Sequence, residues 1–258
     1  MRPATVSPKP RVRLDTLLLE RGLVDSRTRG LALIMAGQVR VDGHPATKAG
    51  TLVRVDAELT LITPDHPYVG RGGLKLADAL DRFQIDPTGA VALDVGASTG
   101  GFTDVLLRRG ATTVVALDVG HGQLDWRLRR DTRVVVLERT HIATVPPEAW
   151  PTAHRHFDIV TVDVSFISIR HFVDRLPRLL KPDGDLVVLV KPQFEVGRAD
   201  VGRGGIVTDP GLHERTVEDV ATAAAGVGLT RVGMVPSPIT GAEGNREFFL
   251  HLRHAAAA

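Results

Sequence analysis

Residues 91–107 read VALDVGASTGGFTDVLL. Val91 to Val95 form a short run, apolar except for Asp94, that stops at Gly96. Such a run closed by glycine suits a strand buried on both faces. Gly96, Gly100 and Gly101 then allow a tight turn and a close approach of backbone to ligand. The next residues, GFTDVLL, resume as a helix, whose free N-terminal N–H groups favour a carboxylate or phosphate by about 0.3–1 kcal/mol.

The pattern repeats outward from this unit. AVALDV, TTVVALDV, RVVVL, FDIVTVDV, DLVVLVK, LTRVGMV and EFFLHL read as strands. GFTDVLLRRG, ISIRHFVDRLPRLL and GLHERTVEDVATAAAG read as helices between them, and GLKLADALDRF as a helix ahead of them. This alternation predicts an α/β fold, a Rossmann-like and mostly parallel sheet of seven strands covered on both faces, with EFFLHL returning antiparallel. The N-terminal texture is different. Leu14, Leu17 and Leu18 have helical spacing up to Gly22, and Asp25 or Ser26 can cap a second helix with Leu31, Ile34 and Met35 as its apolar face. QVRVDG then alternates like a strand into an Asp42-Gly43 turn, and TLVRVDAELTLI supplies two more strands. The division expected is a small α+β domain over 1–62, a Pro- and Gly-rich linker over 63–73, and the α/β domain over 74–258.

Composition narrows the function. The chain has 258 residues, 43% of them hydrophobic, and no cysteine. It therefore has no disulfide, no thiolate metal site and no thiol nucleophile, and no metal is expected. Its most continuous apolar run, Leu186–Val190, falls far short of the roughly 20 residues of a membrane helix. MRPATVSPKPRVR lacks the apolar stretch of a secretory signal, so a cytoplasmic location without membrane contact is expected. Net charge is +2 overall, yet residues 1–60 hold ten Lys and Arg against six Asp and Glu. A basic head on a near-neutral body fits either a polyanion contact confined to the head or a solvated charged surface. Arg11, Arg13, Arg27, Arg29, Arg40, Lys48 and Arg54 are its candidate phosphate contacts, and with no aromatic residue before Tyr68 it reads shape and phosphate rather than stacked bases.

The glycine loop is not G-x-G-x-x-G, because Ser98 stands at the second glycine's place. An acidic residue at the strand end before such a loop is the look of the S-adenosylmethionine site of class I methyltransferases. The cofactor candidates are Asp94, Gly96, Ala97, Ser98, Thr99 and Gly100, with Asp118 at the second strand's end for the ribose hydroxyls and Glu138 after the third for the adenine side. Glycine-rich turns also occur in parallel-sheet proteins without this cofactor, and Asp118 can cap a helix. A nicotinamide dinucleotide is the next reading, disfavoured by the glycine spacing.

The methyl acceptor is narrowed by what is missing. Attack through carbon 5 of a pyrimidine normally needs a cysteine, and the fourth strand leads into DVSFIS, residues 163–168, not the Asn/Asp-Pro-Pro-aromatic motif of exocyclic amine methylation. LVVLVKPQFEVGR, residues 186–198, delivers Lys191 at the tip of a buried strand, one strand from Asp163. A lysine there can take a hydroxyl proton if desolvation lowers its pKa, or it can orient the hydroxyl and stabilise the alkoxide. Pro192 biases Lys191 toward extended backbone and helps to aim it.

GRGGLKL, LDVGASTGGFTD, DVSFIS and LVKPQFEVGR together resemble the TlyA (hemolysin A-like) family of ribosomal RNA 2′-O-methyltransferases. The head resembles an S4 RNA-binding domain and the remainder an FtsJ-type catalytic domain. The resemblance implies a catalytic tetrad of Lys75, Asp163, Lys191 and Glu247. It also implies transfer from S-adenosylmethionine to a cytidine 2′-hydroxyl in ribosomal RNA of assembled subunits, 16S, 23S or both, and a link to capreomycin-type antibiotics. Two other readings stand beside it: an RNA-binding ribosome-assembly factor with a degenerate enzyme domain, and a cytolysin, as the hemolysin name suggests. Oligomeric state is not legible in the sequence.

Overall fold

The computed structural model describes residues 10–24, 26–35, 37–46, 48–62, 66–145, 150, 155–241 and 243–256. Two compact units divide the chain, Met1–Arg71 and Gly72–Ala258.

In the first unit, α1 (Leu14–Glu20) and α2 (Arg27–Met35) pack through Leu14, Leu17, Leu18 and Ile34. Gly22 and Gly37 end the helices in the left-handed region, at φ 68° and 72°. Ser26 caps α2, its hydroxyl accepting the Arg29 N–H at 3.1 Å; Asp25 lies outside the described residues. The expected apolar face of α2 needs a correction. Met35 is exposed at the helix end, and Gly30, Ala32 and Ile34 are buried instead. Gly30 faces α1 closely, and a Cβ there would lie in van der Waals contact with the Asp15 carbonyl and Leu18. β2 (Val39–Val41) lies between β3 (His44–Pro45) and β5 (Leu59–Leu61). Asp42 and Gly43, at φ 49° and 79°, make the β2–β3 turn. A second ribbon pairs β4 (Leu52–Arg54) with β1 (Arg11–Arg13), a strand the sequence did not announce.

The second unit holds seven strands: β6 (Val91–Val95), β7 (Thr113–Leu117), β8 (Val134–Leu137), β9 (Phe157–Val162), β10 (Leu180–Val190), β11 (Leu229–Pro236) and β12 (Phe248–His254). Their spatial order is β11-β12-β10-β9-β6-β7-β8. β6 to β10 run parallel, whereas β12 is antiparallel to both of its neighbours, as EFFLHL led one to expect. α3 (Gly72–Phe83), α4 (Gly101–Arg108), α5 (Trp126–Arg129), α6 (Pro192–Glu195) and α7 (Pro210–Ala225) complete it. Leu93, Val95, Val160, Val188 and Phe172 belong to its main core cluster.

The single helix expected over 167–180 is not formed. Two 3-10 segments, Ile169–His171 and Val173–Leu179, replace it, broken at Phe172 with φ −141°. Pro177 lies inside the second segment; it lacks an N–H and disfavours α geometry in the residue before it, so a continuous α-helix is costly there.

Strand order reverses at β6. From there the chain proceeds outward to β7 and β8, then returns to β9 on the other side. Beyond the C-terminal ends of β6 and β9 the chain crosses to opposite sides, to β7 and to β10, and a crevice at such a point is where open α/β sheets bind ligands.

Candidate active site

One side of the crevice is the loop between β6 and α4. Gly96 and Gly100 sit at φ +87° and +96°, where only glycine is at ease. A Cβ on Gly96 would stand 2.3 Å from the Asp163 carbonyl oxygen, so this glycine lets the first loop pass directly against the loop carrying a tetrad candidate. Ser98, also left-handed at φ 49°, donates its N–H to Asp118 Oδ2 at 2.8 Å. The other oxygen, Asp118 Oδ1, accepts the Gly120 N–H at 2.7 Å. The Thr99 carbonyl accepts the Asp125 N–H, and Ala97 is buried under the loop. Glu138 accepts the Gly122 N–H at 2.8 Å and is paired with Arg129. Burial would raise its carboxyl, but those two donors hold it below the usual range.

Asp94 has a different setting from its companions. It has no solvent access, and its oxygens accept the hydroxyls of Thr103 at 2.7 Å and Thr161 at 3.2 Å. Its carboxyl thus faces the start of α4 and β9 and reaches a ligand only through the loop it supports.

On the other side, four elements bring the tetrad candidates together as two ion pairs. Lys75, in the first turns of α3, places Nζ 2.5 Å from Glu247 Oε2, just ahead of β12. Gly241 leaves that carboxylate room, since a Cβ there would be 2.5 Å from Glu247 Oε1. Lys191, at the tip of β10, places Nζ 2.6 Å from Asp163 Oδ1 and donates to Ser165 Oγ at 2.9 Å. Its backbone is extended, φ −115° and ψ 102°, as a residue ahead of proline requires. Lys75, Lys191 and Glu247 are all buried. A buried charge is tolerable when paired and costly when its partner is removed, so each pair holds the other member in place.

Lys75, Lys191 and Glu247 line one cavity of about 480 Å³, and Asp163 joins it through its pair with Lys191. Ser165, Phe166, Gln193 and Phe194 line it as well; none of the four was singled out from sequence, although all lie inside the quoted motifs. Phe166 is 90% exposed and sits at φ 68°, a left-handed conformation rare for a bulky residue. Its ring lies 5.1 Å from that of Phe194. An aromatic held open to solvent beside paired lysines offers a flat apolar face to a planar ligand.

The head's cations differ in how committed they are. Arg13 and Arg27 both bond Asp15, at 2.8 and 3.1 Å, and with Arg13 as the main cause that carboxyl drops to about 2. Arg54 pairs with Asp56 at 3.0 Å. Arg11 lies directly opposite Arg54 across the β1–β4 ribbon, on one face. Like charges so placed repel, and an approaching polyanion relieves the repulsion. Arg40 and Lys48 are exposed and Arg29 half-buried in the same unit. Among the described residues, no group of His, Asp and Glu is arranged to hold a metal ion, and no helix is long and apolar enough to cross a membrane.

Comparison with known proteins agrees with this layout. The model of the FtsJ-like methyltransferase family matches residues 68–254, and that of the S4 domain matches residues 12–59. Over 244 residues the chain is 50% identical to the 16S/23S rRNA (cytidine-2′-O)-methyltransferase TlyA of Mycobacterium tuberculosis, spanning 94% of this chain and 90% of that one. It is 38% identical to hemolysin A of Brachyspira hyodysenteriae, over 93% of this chain and 99% of the relative. A solved structure of a candidate hemolysin from Streptococcus thermophilus superposes with a TM-score of 0.74 at 39% identity, covering 96% of this chain and 90% of that one.

Proposed function

The chain belongs to the TlyA family, an FtsJ-like methyltransferase domain preceded by an S4 domain, and on that premise we propose that it methylates the 2′-hydroxyl of cytidine in ribosomal RNA, using S-adenosylmethionine. The observation that carries the reading is the convergence of two lysine–carboxylate pairs on one cavity, the Lys75–Glu247 pair buried and the Lys191–Asp163 pair buried on its lysine side.

The residues around the β6–α4 loop fit this cofactor by the chemistry of their donors and acceptors. Asp118 offers two acceptor oxygens at a strand tip, suited to a vicinal diol, and Glu138 a third acceptor one strand further. Gly96 and Gly100, both at positive φ and without side chains, leave the loop backbone open to close approach. When bound, the sulfonium supplies an electrophilic methyl group.

The rest is the work of this chain. A ribose hydroxyl is a poor nucleophile until its proton leaves in the transition state, and oxygen then carries negative charge. Lys191, already a donor to Ser165 Oγ, is placed to orient the hydroxyl and stabilise that charge as an ammonium, and the proton passes to the carboxylate of Asp163 paired with it. Lys75, fixed by Glu247, adds a second positive charge at the cavity wall. Holding the hydroxyl in line with the methyl group can itself supply roughly 7–11 kcal/mol of barrier reduction. The S4 domain contributes affinity by holding phosphates, and work on ribosomal subunits implies a cytoplasmic protein.

Radiolabelled S-adenosylmethionine with ribosomal subunits lacking the modification, wild type against Lys191→Ala, tests the proposal. The expected result is label on a cytidine ribose, lost in the variant. Label retained by the variant would remove Lys191 from the essential chemistry. No label from a wild type that binds the cofactor would favour an assembly factor instead.

A further inference from the structure

Glu195 takes no part in the tetrad, yet it is a carboxylate sealed from solvent four residues after Lys191. Its Oε2 accepts the Ser168 hydroxyl at 2.5 Å and its Oε1 the Ile169 N–H at 2.8 Å. Arg170 completes the contact: its Nε lies 3.4 Å from Glu195 Oε2, and it donates to the Glu195 carbonyl at 2.8 Å. Ser168 Oγ in turn accepts from the Arg170 backbone N–H and guanidinium. Burial pushes the Glu195 carboxyl up, so these donors work against a substantial desolvation cost.

The two segments joined here are the two that carry the Lys191 pair. One leaves β9 as Asp163–Ser168; the other leaves β10 as Lys191–Glu195. At the near end they meet through Lys191 with Asp163 and Ser165, and at the far end through Glu195 with Ser168, Ile169 and Arg170. Between these ends stands Phe166 in its left-handed conformation, almost wholly exposed. Packing does little to hold so exposed a side chain, so the strained backbone must be held by what flanks it. On the Asp163 side the Asp163 N–H bonds the Val95 carbonyl at 2.8 Å; on the other side the anchor is Glu195.

We propose that Glu195 is a positioning residue, which clamps the Asp163–Ser168 turn against the end of β10 and thereby sets Ser165 and Asp163 on Lys191. The inference rests on the methyl-transfer reading. Without the clamp the far end of the turn relaxes, Ser165 draws away from Lys191, and the ammonium loses its alignment, while the cofactor loop keeps its place because the Asp163 end stays bonded to the Val95 carbonyl. Glutamine keeps an acceptor for the Ile169 N–H and a polar partner for Ser168, and loses the charge that faces Arg170.

Methyl transfer to ribosomal subunits by the full-length chain, with cofactor affinity from titration calorimetry, tests this. In Glu195→Ala, kcat should fall about 10- to 100-fold while the cofactor dissociation constant stays within about twofold. Glu195→Gln should recover much of the loss. Combining Glu195→Ala with Lys191→Ala should cost no more than Lys191→Ala alone, because the clamp acts through that lysine. Should Glu195→Ala fail to fold, Ser168→Ala removes one bond of the clamp and carries the same comparison. An unchanged kcat, a parallel fall in cofactor affinity, or losses that multiply in the double variant would each overturn the proposal. A wild type that transfers no methyl group would instead sink the functional reading, and this inference with it.

Discussion

Asn in place of Asp94 should make the protein more stable, and increasingly so as pH rises. The carboxyl of Asp94 is wholly buried, and desolvation, reinforced by the negative charge of Asp163, lifts it from 3.8 to about 7 in spite of the Thr103 and Thr161 hydroxyls. Between about pH 4 and pH 7 the native state keeps a proton that the unfolded chain has released, so stability falls as pH rises through that window. Above about pH 7 both states are ionised and the full cost of the buried charge is felt. At about 1.4 kcal/mol for each tenfold change in proton affinity, the cost approaches 4 kcal/mol, less whatever the site recovers by relaxing around the charge. Asparagine has the same shape and is neutral throughout. Wild type and Asp94→Asn should therefore unfold at similar urea concentrations at about pH 4 and below, and the variant should lead by about 2–4 kcal/mol near pH 8. Both tryptophans, Trp126 and Trp150, lie in the second unit, so intrinsic fluorescence follows the unit that contains Asp94. A difference independent of pH, or a wild type that gains on the variant between about pH 5 and pH 8, would refute the assignment of a buried, desolvated carboxyl.

Two further expectations follow from exposure and pairing. Phe166→Ala removes a side chain that is 90% exposed, so the melting temperature should hold while kcat/KM for RNA falls roughly 5- to 150-fold, the worth of one stacked base. Equal kcat/KM would take Phe166 out of the substrate's path. In the head, Arg11→Ala with Arg40→Ala should flatten the dependence of log affinity on log salt by up to about 2, whereas Arg27→Ala, its guanidinium already on Asp15, should change it by less than about 1. Slopes equal to wild type in filter-binding titrations would remove Arg11 and Arg40 from the interface.

How far the sequence could be read depended on whether a residue's reason for being there was local. The central strands β6, β7, β9 and β10 were legible because burial on both faces writes itself as a run of apolar, mostly β-branched residues, and the loop after β6 because glycine is the residue that accepts φ +87° and +96°. Lys191 was legible too: a charge at the tip of such a run, stiffened by Pro192, is anomalous within five residues of sequence. Lys75 and Glu247 were not, for they are 172 positions apart and each alone is an ordinary surface residue; only the fold makes them a buried pair, and the resemblance to a family stood in for it. β1 stayed hidden because three residues with two arginines carry no period. The 3-10 segments were misread because apolar spacing says which face is buried, not whether Pro177 permits the α hydrogen bonds. Ser165, Phe166 and Glu195 went unremarked though they lie within quoted motifs, since their roles come from a partner segment on the neighbouring strand or, for Phe166, from a backbone state that phenylalanine seldom adopts. Asp94 was read as a candidate ligand contact because it precedes the glycines, and its seclusion became visible only with Thr161, which reaches it from β9. The candidate tetrad is non-local because its two pairs draw on four separate elements, so neither sequence neighbourhood announces the partner that makes its buried charge tolerable.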